Sequence, residues 1–489
     1  MTLDELAIRI GARASSGRLG PEAKDITHDS RACAPGSVFV AICGEKFDAH
    51  QFIPQAVERG AIAVISERPA GGHPAPAWIE VRDARASLAL AAAALFDHPS
   101  RRLKLVGVTG TNGKTTTAHL IDSVFRAAEG TSTMLGTISY RIGDQTTTAR
   151  HTTPEAADIQ RLLARAVEAG CRSAVMEVSS HAIELHRADG LEFAAAVFTN
   201  LTRDHLDYHK TMESYFAAKR GLFTGRTGSV PRVAVINIDD HYGRRLADEL
   251  KGRTITYGLN READVRTDDF RQTARGLSFT ASTPAGQVEI AARLVGRPHV
   301  YNTLAALAAG LALGLDLEAV TRGLAQCPGV AGRFEQVFCD LDPGFMVVVD
   351  YAHTDDALRN VLQTAREVAA AGRVITVFGC GGDRDKTKRA PMGEIAASLS
   401  DVAIVTSDNP RTEDPEAIIA DIEVGLKNTG RDYIKFSDRR RAIFRAIEEA
   451  RSGDVVVIAG KGHETCQIIG SETIHFDDRE VAREAMTQK

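Results

Sequence analysis

The chain has 489 residues, 44% hydrophobic and 25% charged, with a formal net charge of -5. At roughly 150 residues per domain this length suggests about three domains, each able to bury a core. The acidic balance argues against a nucleic-acid footprint or a polybasic membrane face, and seven scattered cysteines with no C-x-x-C pair argue against a disulfide framework or a zinc site.

The stretch "MTLDELAIRI" carries acids where a secretory leader has its basic region, so no signal peptide is expected. The first hundred residues predict a small α/β unit. "SVFVAI" and "AIAVIS" read as strands, with "FIPQAVERG" as a helix ended by its glycine. The longest apolar run, "LALAAAALF" at Leu88–Phe96, is far short of the roughly 20 residues that span a bilayer. It predicts a buried alanine-rich helix, and a reducing cytoplasm is the expected compartment. The Pro-Ser-Arg-Arg segment after Asp97 predicts a linker, giving units at 1–100, 101–333 and 334–489.

"LKLVGVTG" then predicts a strand entering a glycine-rich turn and a helix. "GVTGTNGKTTT", Gly107–Thr117, resembles a P-loop, in which backbone N–H groups and a helix N-terminus cradle phosphates. Val108 stands where the first glycine of the strict pattern belongs, so the loop is a variant turning at Gly110. Thr111, Asn112, Gly113 and Thr116 complete it. Lys114 is suited to reach the β/γ-phosphates of ATP, and Thr115 to ligate Mg²⁺. Farther on, "SAVMEV", "AAAVFTN" and "VAVINID" alternate with helical stretches, the pattern of a parallel sheet.

"MEVSSH" puts Glu177 at the end of a buried strand, where a carboxylate needs a partner. "TNLTRDHLDYH" offers Asn200, Asp204, His205, Asp207 and His209. Magnesium sites commonly share one or two carboxylates with substrate phosphates, which favours Glu177 first and His205 second. Asp204, Asp207 and His209 are expected to be capping and loop residues. "SYFAAKRGLF" sets Lys219 among apolar neighbours. A desolvated lysine has a depressed pKa and a reactive amine, and a lysine snorkelling from its helix fits the residues equally.

In the last part, "FMVVVD", "RVITVFG", "DVAIVTS" and "DVVVIAG" are aliphatic strands separated by helices, predicting a doubly wound sheet covered on both faces. Their polar turns "DYAHT", "GCGGDRDKTKR", "SDNPRTED" and "GKGHET" are expected to meet beyond the carboxyl ends of the strands, where such sheets bind ligands.

Together "GVTGTNGKTTT", "MEVSSH", "TNLTRDHLDYH", "YFAAK", "PGVAGRFE", "VDYAHT", "DNPR" and "GKGHE" resemble the Mur ligase family of peptidoglycan synthesis, colinearly over essentially the full length. The tripeptide-forming members are the nearest in motif. The resemblance implies an α/β protein of three domains: a UDP-sugar domain, a central P-loop ATPase domain and a Rossmann-like amino-acid domain. It implies ATP-dependent addition of meso-2,6-diaminopimelate to UDP-N-acetylmuramoyl-L-alanyl-D-glutamate through an acyl phosphate, by a monomer using Mg²⁺.

Residue by residue, it implies that His28, Ser30 and the turn Glu45, Lys46 and Phe47 lie near uridine. His151, Thr152, Thr153, Ser179 and Arg187 would hold the muramoyl dipeptide, with Leu185 replacing a glutamine of some relatives. Lys219 matches a carbamylated lysine (N6-carboxylysine) that supports the metal site. Asn302, Arg333, Asp350 and His353 match ATP contacts. Arg384, Asp408, Asn409, Pro410, Arg411, Gly460 and Glu464 match the diaminopimelate pocket. There Arg411 would grip the distal carboxylate that lysine lacks, and Glu464 the distal ammonium.

Two other readings use the same phosphate loop. One is another ATP-dependent amide ligase, such as a folylpolyglutamate synthetase-like enzyme, against which "THDSR" and "DNPR" speak. The other is a nucleotide-dependent switch, which would turn over nucleotide without consuming an amino acid.

Overall fold

The strand Ser37–Ala41 is buried along its whole length, and around it the first unit closes. The computed structural model describes the chain except residues 45–46, 73, 251 and 340–342. Five strands form the N-terminal sheet, with Ser37–Ala41, Ala61–Ser66 and Ala77–Glu80 parallel and Ala14–Gly17 an antiparallel edge. The helix Ala84–Leu95 is capped by the Asp83 side chain on Ala86 N–H and buries most of its alanines. Small side chains let it lie close against the sheet. The segment Pro99–Arg102, expected as a linker, is a short 3-10 turn with Pro99 and Ser100 buried. Ser100 Oγ accepts the Glu192 N–H at 3.1 Å and Arg101 pairs with Glu192 at 2.8 Å, so the connection is packed onto the central unit.

The central unit carries a 12-stranded sheet. Thr133–Leu135, Ser173–Glu177, Lys104–Thr109, Ala195–Phe198, Val233–Asn237 and Thr254–Gly258 are neighbours in that order and parallel. Both ends depart from the parallel expectation. Ser139–Ile142 and Gln145–Thr148 form a hairpin on one side, and Gly276–Thr283 and Gly286–Ala292 another on the opposite side. Connections of two residues cannot hold a crossover helix, so these pairs must be antiparallel.

The C-terminal unit is a six-stranded sheet in which Met346–Asp350, Val455–Ala459, Val374–Phe378, Val402–Thr406 and Ile434–Phe436 are parallel neighbours. The antiparallel edge is Glu335–Val337. Helices cover both faces, so the strands are aliphatic throughout. Each fully buried Val or Ile contributes about 1.5–3 kcal/mol. At the passage between the two larger units, Phe334 N–H donates to Asp350 Oδ2 at 2.6 Å while Arg333 reaches back to Thr115. Gly332 lies so close to the "GKGHE" turn that a Cβ there would sit 2.2 Å from His463 N.

Candidate active site

The loop 110–113 joins the strand Lys104–Thr109 to the helix Lys114–Glu129, the arrangement of a phosphate cradle. Its glycines are fixed by contact. Gly110 has φ 146° and a Cβ there would meet Thr199 Oγ1; a Cβ at Gly113, φ 85°, would sit 2.4 Å from Asn302 Oδ1. Thr111 N–H donates to Asn200 O at 2.8 Å and Asn112 N–H to Asn200 Oδ1 at 2.9 Å, so the "TNLT" segment holds the loop.

Glu177, 1% exposed, finds the partners its position required. Thr115 Oγ1 donates to Glu177 Oε2 at 2.9 Å, and Thr137 donates to the same carboxylate through N–H at 2.7 Å and Oγ1 at 3.0 Å. Arg333 Nη2 donates to Thr115 Oγ1 at 3.3 Å. On the other side Thr137 Oγ1 lies 3.2 Å from Thr152 Oγ1, and Thr153 Oγ1 donates to the Glu177 carbonyl at 2.9 Å. One carboxylate thus joins the phosphate loop to the "HTTPE" segment. Thr137 was missed in the sequence, because it stands in an unremarkable turn that only strand order brings to Glu177.

Two lysines converge on this loop. Lys114 Nζ donates to the carbonyls of Gly110 and Thr111 at 3.0 and 2.9 Å. Lys219 Nζ, from the helix Met212–Thr224, donates to the Gly110 carbonyl at 2.7 Å and lies 4.6 Å from the Tyr215 ring centre. Lys219 is 1% exposed, so it does not snorkel. Burial, and after it the charge on Lys114, hold its pKa well below the ordinary lysine value. Burial lowers Lys114 as well.

His205 opens the short helix Leu206–His209 in a left-handed conformation, φ 53°. Its ring meets His181 edge-on at 5.0 Å, and burial pushes its pKa down to about 4. Asp204 Oδ1 accepts the N–H of the next residue, His205, but does not cap the helix, which has no side-chain cap, and Asp207 lies in the first turn of that helix. His209 is no loop residue: it is buried, stacked on Tyr215 at 4.9 Å and bonded through Nε2 to Ser180 Oγ. Packing of an aromatic cluster explains it. Among the described residues no three His, Cys, Asp or Glu side chains are grouped as an all-protein metal site. One carboxylate beside a helix-terminal hydroxyl suits instead an ion held largely by phosphate oxygens and water. The glycine at position 136 leaves room for this, since a Cβ there would lie 2.7 Å from Glu177 Oε1.

A cavity of about 650 Å³ opens beside the loop between the central and C-terminal units, lined by Asn112, Gly113 and Thr116 on one side and Asp350, Tyr351 and His353 on the other. Asn302 and Arg333 also face it. The Arg333 guanidinium stacks 4.7 Å from the Tyr351 ring centre. Asp350 accepts the N–H groups of Phe334 and Ala352, and burial still raises its pKa to about 6. His353 Nδ1 bonds to the Tyr351 carbonyl, and burial lowers this imidazole to about 4. Asn112 Nδ2 donates to Asp356 Oδ2 at 2.9 Å, a link across the two units that the sequence did not announce.

At the carboxyl edge of the C-terminal sheet the four polar turns come together. Gly460 N–H donates to the Asp350 carbonyl at 3.0 Å, Gly382 N–H to the Asn409 carbonyl at 2.9 Å, and a Cβ on Gly460 would lie 2.4 Å from Asp408 Oδ2. Arg411, behind Pro410, adopts φ 53°. Its backbone is pinned by the strand Cys466–Ile469: Arg411 N–H donates to the Ile468 carbonyl at 3.1 Å and Gly470 N–H to the Arg411 carbonyl at 2.7 Å. Arg411 Nη1 donates to the Gly382 carbonyl at 2.7 Å, and among the described residues the other N–H groups of the fork make no hydrogen bond. Arg384 is exposed and bonded to the Asp383 carbonyl. Asn409 Nδ2 donates to Glu464 Oε2 at 2.8 Å.

Toward the N-terminal unit, Arg187 Nη1 donates to the Thr153 carbonyl at 3.1 Å and pairs with Glu155 at 2.6 Å. Ser179 N–H donates to Thr153 Oγ1 at 3.1 Å, so Thr153, Ser179 and Arg187 form one cluster. Leu185 is half-buried at the end of the helix Ser180–Glu184, and His151 is exposed. Ser30 is buried with its hydroxyl on Gln55 Oε1 at 2.6 Å, His28 is half-buried and Phe47 is 68% exposed. Glu45 and Lys46 lie outside the described residues.

Three family models match in chain order: Mur ligase family, catalytic domain, at 22–95; Mur ligase middle domain at 108–310; and Mur ligase, glutamate ligase domain, at 332–462. A UDP-N-acetylmuramoyl-L-alanyl-D-glutamate--2,6-diaminopimelate ligase of Solibacter usitatus is 50% identical over 95% of this chain and 94% of its own length. The enzyme of the same name from Geobacter metallireducens is 47% identical over 98% and 97%. A solved structure bearing that name matches with a TM-score of 0.70 and 33% identity, covering 100% of this chain and 99% of its own. By its full-length match in sequence and in fold, the chain belongs to the Mur ligase family.

Proposed function

We propose that the chain is the ATP-dependent ligase that adds meso-2,6-diaminopimelate to UDP-N-acetylmuramoyl-L-alanyl-D-glutamate in peptidoglycan precursor synthesis. The full-length likeness to ligases of that name supports the activity. The observation that carries the site is Glu177, bonded to Thr115 of the phosphate loop and to Thr137, which contacts Thr152. That geometry supports a phosphate and a peptide carboxylate being held side by side.

A carboxylate and an amine form a salt at neutral pH, so the carboxylate must be activated. The D-glutamate γ-carboxylate attacks the γ-phosphorus of ATP, the P–O bond to ADP breaks, and an acyl phosphate forms. The amine then attacks the acyl carbon, inorganic phosphate leaves, and the ammonium proton is lost. Lys114 and the N–H groups that open its helix stabilise the charge on the transferring phosphoryl group, and Arg333 orients it from the passage between the two larger units. Thr115 and Glu177, with His205, would hold Mg²⁺, which supplies charge neutralisation on the phosphates when bound. Thr152, Thr153, Ser179 and Arg187 hold the dipeptide. Asn302, Asp350 and His353 line the nucleotide cavity.

Burial and the charge on Lys114 disfavour the ammonium of Lys219, and its neutral amine can add CO₂ at Nζ: an N–C bond forms and a proton leaves. The resulting carbamate places an anion beside Lys114, which favours a bound metal. Arg411, with Arg384, Asn409, Asp408, Gly460 and Glu464, receives the distal end of diaminopimelate. All these residues come from one chain, so a monomer suffices. Seven free cysteines suit a reducing cytoplasm, and among the described residues no helix is long and apolar enough to cross a membrane. Phosphate release tests the reading: it should require the UDP-dipeptide and meso-diaminopimelate together. Release that ignores the amino acid would instead indicate a nucleotide-driven switch.

A further inference from the structure

Lys461 has no exposed side-chain surface, yet its ammonium sits one shell behind the pocket just described. Nζ donates to Asn409 Oδ1 and to Glu464 Oε2, each at 3.2 Å, and to the Cys466 carbonyl. An ammonium has three donors, so its bonding is complete within the protein. Asn409 Oδ1 also accepts the Ile468 N–H at 3.0 Å. Both lone pairs of that oxygen are therefore occupied, and the amide can stand only one way round. Nδ2 must point toward Glu464, which it meets at 2.8 Å.

We infer that Lys461 is a positioning and specificity-determining residue for the amino-acid substrate, an inference that rests on the proposed ligase reading. It fixes the Asn409 amide so that an N–H faces the pocket, and it ties down one oxygen of Glu464 so that the other is presented. A donor beside an acceptor matches a terminus bearing both carboxylate and ammonium. Lys461 also sets the charge. Arg411 and Arg384 flank Gly381, whose Cβ would lie 2.9 Å from Arg411 Nη1 and 4.0 Å from Arg384 Cγ. With Lys461 these cations balance Glu464, Asp408 and Asp383, whose carboxylate feels Arg411. Without Lys461 the balance turns anionic and favours the bare ammonium of lysine over the zwitterionic end of diaminopimelate.

The test compares Lys461→Met with the pair Lys461→Met/Glu464→Gln and with Glu464→Gln alone. Lys461→Met should raise the KM for meso-diaminopimelate at least about tenfold, because it frees the three oxygens, of Asn409, Glu464 and Cys466, that Lys461 holds. The KM for ATP and for the UDP-dipeptide should hold within about twofold, and the preference for diaminopimelate over lysine should narrow. The double variant removes both members of the ion pair and so should fold; its diaminopimelate KM should exceed that of Glu464→Gln alone by less than Lys461→Met exceeds wild type, since only the Asn409 arm of the effect remains. An unchanged diaminopimelate KM in Lys461→Met, a parallel rise in the ATP KM, or full additivity in the double variant would each overturn the assignment. Failure of both variants to fold would make Lys461 a folding residue and overturn it as well. Wild-type protein inactive with meso-diaminopimelate would instead overturn the ligase reading itself.

Discussion

Lys114 and Lys219 donate to the same acceptor, the Gly110 carbonyl oxygen, at 3.0 and 2.7 Å. Two ammonium groups at one carbonyl are unfavourable, and burial of Lys219 adds to the cost of its charge. A neutral Lys219 amine open to CO₂ relieves both. Carbon-13 NMR in labelled bicarbonate should therefore show a carbamate that Lys219→Ala lacks. Activity should fall on CO₂ removal and return with bicarbonate. Full activity of Lys219→Ala at saturating Mg²⁺ would show that the modification has no function here.

Lys114 faces the other way in its role. Lys114→Ala should fold normally and lose about two to three orders of magnitude in kcat, because preorganised charge at a transferring group is commonly the largest catalytic contribution. Circular dichroism and turnover on the same sample check this, and near-normal turnover would remove Lys114 from the chemistry.

Glu177→Gln keeps the shape of the hub and removes its charge. The Mg²⁺ concentration for half-maximal rate should rise by about tenfold or more, since a shared carboxylate is the only protein anion proposed there before carbamylation. A Mg²⁺ titration of wild type and variant decides it; superimposable curves would place the ion elsewhere.

Stability should depend on pH through buried imidazoles. His209 and His299 are 7% and 8% exposed, and burial lowers each from 6.5 to about 4. Their folded pKa lies below the unfolded one, so between these values the unfolded chain binds more protons. The stability they contribute is fully present above 6.5 and is lost as pH falls toward 4. Each adds about 1.4 kcal/mol per pH unit to the slope in that window. Thermal melts of wild type and His299→Asn should diverge there and run parallel above pH 7; parallel curves throughout would contradict the assignment.

Much of this was legible in the sequence because it is local. The loop 110–113 lies between a strand and a helix as its pattern requires, and the aliphatic strands of the C-terminal unit are buried on both faces as their composition implies. What escaped is made by strand order and by packing between units. Thr137, Tyr351, Asp356 and Lys461 reach the site only because distant segments meet there. The antiparallel flanks of the central sheet escaped because hairpin and crossover strands have the same composition. The odd arginine behind Pro410 is held by a hairpin more than fifty residues onward, a contact that no local pattern encodes.

Arg411→Ala should raise the KM for meso-diaminopimelate by about ten- to a hundredfold, as expected for loss of a charge-assisted contact at a partly open site. The KM for ATP and the UDP-dipeptide should change little. An unchanged diaminopimelate KM would reduce Arg411 to a surface cation.

The central claim, activation of a peptide carboxylate by ATP beside Glu177, is tested most directly by oxygen transfer. UDP-N-acetylmuramoyl-L-alanyl-D-glutamate carrying heavy oxygen in the γ-carboxylate is incubated with ATP, Mg²⁺ and meso-diaminopimelate, and the inorganic phosphate is examined by mass spectrometry. The account predicts one labelled oxygen in each phosphate released, in step with amide formed. Unlabelled phosphate alongside amide product would contradict it.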